Sequence, residues 1–220
     1  MRQAPVHFLH VRKTGGTAIA EALRPFADAY GIVLHEHTTR LSDVPRDDRV
    51  VFFVRHPLSR FVSGFFSRLR CGLPRHYYRW NEAEVKAFRH FQKANDLAEA
   101  LSATNPETLT CAYEAMTGIS HIKNTYRDWF SGTQELDDRL DSIVLIGLQE
   151  TLSTDFVHLK GLLQLPRTVS LPADDTLAHR TPLGFDRQLS PLAVENLSRW
   201  FAEDIRFYEY CVQLRSARGL

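Results

Sequence analysis

The stretch "VHFLHVRKTGGTAIAEAL" (residues 6–23) changes character twice. Its opening "VHFLHV" (6–11) is β-branched and aromatic with few charges, the composition of a strand buried on both faces of a parallel sheet. Its close places Ile19 and Leu23 at helical spacing, and Phe26 continues the stripe. Between the two lies "RKTGGT". A strand that runs through a glycine loop into a helix N-terminus is suited to an oxyanion. The glycines let the backbone wrap the ligand, and the helix dipole favours negative charge. Lys13 adds a mobile point charge beside Thr14, Gly15, Gly16 and Thr17.

The same rhythm continues outward. "GIVLH" (31–35), "VVFFV" (50–54) and "SIVLIGL" (142–148) read as further buried strands, and Leu58, Phe61, Val62, Phe65, Phe66 and Leu69 follow the third at helical spacing. Strand alternating with helix predicts an α/β fold, a parallel sheet flanked by helices. Residues 81–130 lack strand signals and read as three or four short helices, a helical insertion within one domain spanning 1–220. "TLSTDFVHLKGLLQL" is amphipathic, and "LPADDTLAHRTPLGFDRQL" has loop composition. A long final helix is expected from Ser190 as N-cap and Pro191 at its first position, with the stripe Leu197, Phe201, Ile205, Tyr208 and Val212 docked on the core.

Composition bounds the function. The chain has 220 residues, 44% hydrophobic, enough for one full core, and a formal net charge of +1 that supports no global pull toward nucleic acid or acidic membrane. Locally, residues 46–80 hold eight arginines against Asp47 and Asp48, so one region could host an anion. Cys71, Cys111 and Cys211 are odd in number and widely spaced, which favours neither a disulfide framework nor a zinc site and makes a reducing compartment the default. Strand character begins at Val6, leaving no room for a signal peptide, and no apolar run approaches the roughly 20 residues of a membrane helix. The expectation is a cytoplasmic protein with no integral membrane segment and no nucleic-acid partner.

The nucleotide loop GxxxxGK[ST] places its lysine after the glycines, whereas Lys13 precedes them. "HVRKTGGT" resembles instead the 5′-phosphosulfate loop of sulfotransferases that use 3′-phosphoadenosine 5′-phosphosulfate, in particular the branch of the heparan sulfate 2-O- and 6-O-sulfotransferases, as a minimal bacterial-type member. "VFFVRHPLSRFVSGFF" (51–66) resembles that family's 3′-phosphate motif, a strand ending in R-D-P followed by a helix with x-x-R-x-x-S. The resemblance implies a P-loop-like sulfotransferase fold. It assigns Lys13, Thr14, Gly15, Gly16, Thr17 and Ala18 to the 5′-phosphosulfate, Arg55 and Ser63 to the 3′-phosphate, and Arg180 in "AHRTP" to the same phosphate from a late loop. Arg60 falls on the polar side of the same helix. The chain departs from the pattern at Ala18, where a second hydroxyl is usual, and at His56, where the aspartate is usual.

The expected activity is transfer of a sulfuryl group to a hydroxyl, most simply of a carbohydrate, without a metal. Lys13 would neutralise charge growing on the bridging oxygen, and a histidine near its reference pKa of ~6.5 can take the acceptor's proton. "LHEHTT" offers His35 and His37, which strand alternation would put on one face with Glu36 on the other. His37 lies nearer the carboxyl end and is the expected base, with His35 and Glu36 as rivals. His121, Lys123 and Asn124 could line the nucleotide or acceptor cleft. The alternatives are a small-molecule kinase, which would need a metal-holding carboxylate where Arg55 and His56 stand, and an inactive adenosine-bisphosphate-binding regulator, against which Lys13 and the nearby histidine pair count mildly.

Overall fold

The computed structural model describes residues 4–178, 182 and 184–219. In chain order the elements are β1 (Val6–Leu9), α1 (Gly16–Leu23), β2 (Ile32–Leu34), β3 (Arg49–Val54), α2 (Pro57–Leu69), α3 (Glu82–His90), α4 (Ala94–Ala100), α5 (Pro106–Gly118), α6 (Thr133–Asp137), β4 (Ile143–Leu148), α7 (Leu152–Leu162), α8 (Pro191–Trp200) and α9 (Ala202–Arg218). They form two compact units: Met1–Arg55 with Tyr126–His179 and Arg206–Leu220, and His56–Thr125 with Arg180–Ile205. No helix among the described residues is long and apolar enough to cross a membrane.

The first unit holds the expected parallel sheet, in the order β2-β1-β3-β4. Alternation along β3 divides its core. Val51 and Phe53 pack with Ile19 and Leu23 of α1 and Phe156 and Leu159 of α7, while Val50, Phe52 and Val54 pack with Tyr126, Trp129, Phe130, Phe207 and Cys211. A bulge shifts the register so that Val50 pairs with Ile143 but Val51 with Leu145. The extra residue puts Val144 and Leu145 in the first cluster and returns Ile146 to the second, so both sides of β4 stay apolar. β1 lies between β2 and β3, so the chain leaves β1 toward one neighbour and comes back on its other side. The carboxyl end of β1 is therefore a topological switch point, where ligands of open α/β sheets collect.

The second unit is helical. α2, α3, α4, α5 and α8 share one cluster containing Phe61, Phe65, Phe88, Leu97, Met116 and Leu197. Asn81 and Asn105 cap α3 and α5, and Ser190 caps α8 through Ala193 N–H, as expected. Within the strand-free run, α3, α4 and α5 are followed by a 3-10 turn at Tyr126–Asp128. The expected long terminal helix is two helices. The chain turns at Phe201, which is buried, and α9 restarts in a new phase, so Phe207 and Cys211 are buried while Val212 is only half-buried.

Two buried carboxylates fix these elements. In the first unit Asp155 accepts from Leu148 N–H, Thr151 Oγ1 and both guanidinium nitrogens of Arg215, at 2.5–2.8 Å. In the second, Arg68 forks onto Glu84 with two bonds of 2.7 Å, and Glu84 also accepts from Asn81 and Ser120 N–H. Burial alone would raise the Glu84 pKa, but the hydrogen bonds from Arg68, Ser120 and Asn81 outweigh it and hold it below the usual range. A depressed carboxylate pKa gives stability that is present above the unfolded value of ~4.3 and is lost as pH falls through the folded one. Glu84→Gln, which leaves Arg68 buried without its charge partner, should cost about 3 kcal/mol in urea unfolding at neutral pH, and the difference from the parent should shrink on acidification.

Candidate functional site

In the first unit, the chain leaves β1 and reaches α1 through a turn in which Lys13 (φ 66°) and Gly15 (φ 88°) are both left-handed. Glycine adopts that conformation freely, whereas for lysine it costs about 1–2 kcal/mol. Thr14 is buried, and its Oγ1 donates to Val11 O at 2.9 Å, holding the turn closed from inside. The two glycines answer different demands. Gly15 is the N-cap of α1 and needs the positive φ, while a β-carbon on Gly16 would lie 2.3 Å from Cδ2 of His10, closer than atoms can pack. Glycine as N-cap has no side chain to offer the N–H groups of Gly16 and Thr17, which precede the first bond of the helix. Thr17 is half-buried on that first turn. Ala18 is buried, and its N–H is bonded to Gly15 O at 3.1 Å.

Arg55 follows β3 at the carboxyl edge of the same sheet. Its Nη1 donates to Lys13 O at 3.3 Å, and its backbone is held on both sides by one hydroxyl: Arg55 N–H donates to Tyr126 Oη at 2.8 Å, and Tyr126 Oη donates to Arg55 O at 2.5 Å. Tyr126 is buried against Phe207. Sequence reading placed this segment beside a cleft for the sake of His121, Lys123 and Asn124 and missed Tyr126. A buried tyrosine announces itself in sequence only as one more aromatic.

The histidines do not share a face as expected. β2 ends at Leu34, so the pleat that would align His35 with His37 is already over. His35 stacks on His7, with Nε2 2.8 Å from His7 Nδ1, and His7 Nε2 lies 3.0 Å from Asp48 Oδ2, a chain that ties the end of β2 to the start of β3. His37 lies against His10, ring centroids 3.9 Å apart. Its Nδ1 is 3.1 Å from His10 O, and because a carbonyl can only accept, the proton sits on Nδ1 and the neutral ring keeps its lone pair on Nε2. Trp129, also missed in sequence, donates Nε1–H to His37 O at 2.8 Å. Burial, then the charges of His37, Arg12 and Arg24, pushes His10 down to about 3. His37 is lowered too: burial and the charges of Arg12 and Lys13 outweigh the hydrogen bond to His10 O and the carboxylate of Glu36. Both rings are neutral at pH 7, and Glu36 is exposed.

In the second unit, His56 does the work of the missing aspartate at the start of α2. Its Nδ1 accepts Leu58 N–H at 3.3 Å, an N-cap contact that Asp would also make, while Pro57 holds the first helical position. Ser63, on the second turn, is half-buried. Arg60 is not on the polar side of the helix. It is buried, paired with Asp204 at 2.6 Å and donating to Asn124 O at 2.8 Å, so both Arg60 and the Asn124 carbonyl are committed to structure. His121 presses its backbone on α2 where Gly64 has no side chain, a β-carbon there lying 3.0 Å from His121 O. Lys123 is exposed. Arg180 lies outside the described residues.

Among the described residues no group of three or more His, Cys, Asp or Glu is disposed to hold a metal ion. No curated protein matches the chain. A family model described as the sulfotransferase family matches residues 2–211, nearly the whole length and both compact units. The glycine turn at the carboxyl end of β1, with its cation and its neutral histidine pair, therefore belongs to a member of the sulfotransferase family.

Proposed function

We propose that the chain acts as one catalytic domain that moves a sulfuryl group from 3′-phosphoadenosine 5′-phosphosulfate to a hydroxyl, most simply that of a carbohydrate. One observation carries this reading. His10 joins the glycine turn to His37: its ring sits where Gly16 lacks a β-carbon, and it also lies against His37, whose Nε2 keeps the lone pair of the neutral ring. This places the two groups the reading needs, the glycine turn and a neutral histidine, beside one ring within one unit. The donor, when bound, supplies the sulfuryl group and an adenosine bisphosphate leaving group. The residues fit it: two left-handed positions at Lys13 and Gly15 and an α1 N-terminus with no side-chain cap suit its 5′-phosphate.

The roles follow from charge and position. Gly15, Gly16 and Thr17 offer backbone N–H groups to the 5′-phosphate, and Thr14 shapes the turn from within. Lys13 meets the negative charge that grows on the leaving oxygen, where a fixed cation lowers the barrier more than it tightens ground-state binding. Arg55 and Ser63 take the 3′-phosphate, as their shared motif implies, and a guanidinium suits that task because its planar fork can bind two oxygens. His37 removes the acceptor's proton at Nε2. Sulfuryl transfer resembles phosphoryl transfer in its loose, in-line character, so positioning and charge carry most of the rate.

Four outcomes test this. Adenosine 3′,5′-bisphosphate should raise the melting temperature well above the effect of 5′-AMP, and Arg55→Ala should erase the difference; equal shifts in the parent protein would remove the 3′-phosphate assignment, and best stabilisation by ATP with Mg²⁺ would point to a kinase. Lys13→Ala should lower kcat on the order of 10²-fold while affinity for the bisphosphate, read by calorimetry, falls much less. His37→Ala should lose on the order of 10²-fold or more in kcat with bisphosphate affinity unchanged, and Glu36→Gln should stay active. Because the base works unprotonated and its pKa is lowered, kcat should be level through neutral pH and fall on acidification only below the ordinary histidine value of ~6.5.

A further inference from the structure

The second unit carries a loop to which the roles proposed above assign nothing. α2 stops in a Schellman arrangement, with Cys71 N–H donating to Arg68 O at 2.9 Å and Gly72 N–H to Ser67 O at 2.8 Å, and Cys71 takes the left-handed position. The chain then makes a compact loop whose ends close through Tyr78 N–H to Cys71 O at 2.7 Å. Arg68 pins this base from the buried side. While forked onto Glu84, it also donates to Tyr78 O and Arg79 O at 3.3 and 3.1 Å, and its own carbonyl accepts Trp80 Nε1–H at 2.6 Å.

A loop anchored this firmly nevertheless turns apolar side chains to solvent. Leu73 is 46% exposed, Tyr77 66% and Tyr78 59%, with Pro74 exposed between them. The loop's charges are all of one sign. Arg75 is half-exposed and Arg79 exposed, and no Asp or Glu occurs from residue 69 to 81. Arg70, at its foot, donates to Phe66 O and Leu73 O and stiffens the tip.

We propose that this loop docks the protein on an anionic lipid bilayer. Tyrosine rings settle at the headgroup level, an aliphatic tip passes beneath them, and guanidinium groups pair with lipid phosphates. A soluble polyanion would be gripped by Arg75 and Arg79 but would gain nothing from Leu73 and Pro74. The attachment is peripheral and reversible, since one loop buries too little apolar surface to anchor a protein alone.

The test is co-sedimentation of the full chain with vesicles of phosphatidylcholine alone and of phosphatidylcholine mixed with phosphatidylglycerol. Binding is expected to the mixed vesicles and not to the neutral ones. It should weaken by about 30-fold in Arg75→Ala/Arg79→Ala, from about 1 kcal/mol for each charge near the surface. It should weaken at least tenfold in Leu73→Ser/Tyr77→Ser, whose altered side chains are exposed. A Leu73→Trp variant should show added fluorescence that acyl-chain-brominated lipid quenches. Full binding by the Leu73→Ser/Tyr77→Ser variant, or no quenching of the fluorescence added by Leu73→Trp, would overturn insertion, and equal arginine-dependent retention on dextran sulfate would reassign the loop to soluble polyanions.

Discussion

The contact between the His10 ring and the bare α-carbon of Gly16 governs the candidate site. A β-carbon at residue 16 would run into the imidazole, so with His10 lying against His37 only glycine lets α1 start there without moving the ring. Because it does start there, its first N–H groups stand at the carboxyl end of β1, at the point in the sheet where the strand order reverses. The left-handed backbone at Lys13 and Gly15 is the geometric consequence of turning from strand to helix in so short a distance, and Thr14 locks it with an inward hydrogen bond.

The same ring sets the electrostatics. His10 is half-buried, covered by the start of α1 on one side and by His37 on the other, and desolvation is the leading cause that holds both imidazoles neutral. A neutral His37 could still have presented either nitrogen. The His10 carbonyl decides between them by accepting from Nδ1, and Trp129 fixes the backbone of the same residue. A proton acceptor of defined tautomer thus comes from two neighbours that cannot themselves titrate in the useful range.

The arginines show how burial overrides composition. Residues 46–80 look like a basic region fit for an anion, yet Arg60 and Arg68 spend their charge on Asp204 and Glu84 inside the helical unit. A guanidinium among aromatic side chains has to bring a carboxylate with it, and once paired it organises structure instead of binding ligand. Arg55 differs because it stands at a strand end, where its backbone is held by Tyr126 and its side chain reaches the glycine turn.

Much of this was legible in the chain. The four apolar runs became the four parallel strands, although β2 stops at Leu34 and β1 at Leu9, and the order of Lys13 before Gly15 and Gly16 set the turn apart from the nucleotide loop. Local chemistry sufficed there, since strand burial, glycine conformation and caps such as Ser190 depend on residues a few positions apart. Where partners are distant the sequence was silent. Nothing local pairs Arg60 with Asp204, 144 residues on, or sets Trp129 against His37, 92 residues away. The parting of His35 from His37 and the break at Phe201 arose the same way, because each side chain followed its tertiary neighbour once regular periodicity ended. Sequence by itself determined the elements and the glycine turn. Tertiary structure decided which charges face inward and which histidine nitrogen keeps its lone pair, because both depend on burial and on hydrogen bonds between segments remote in the chain.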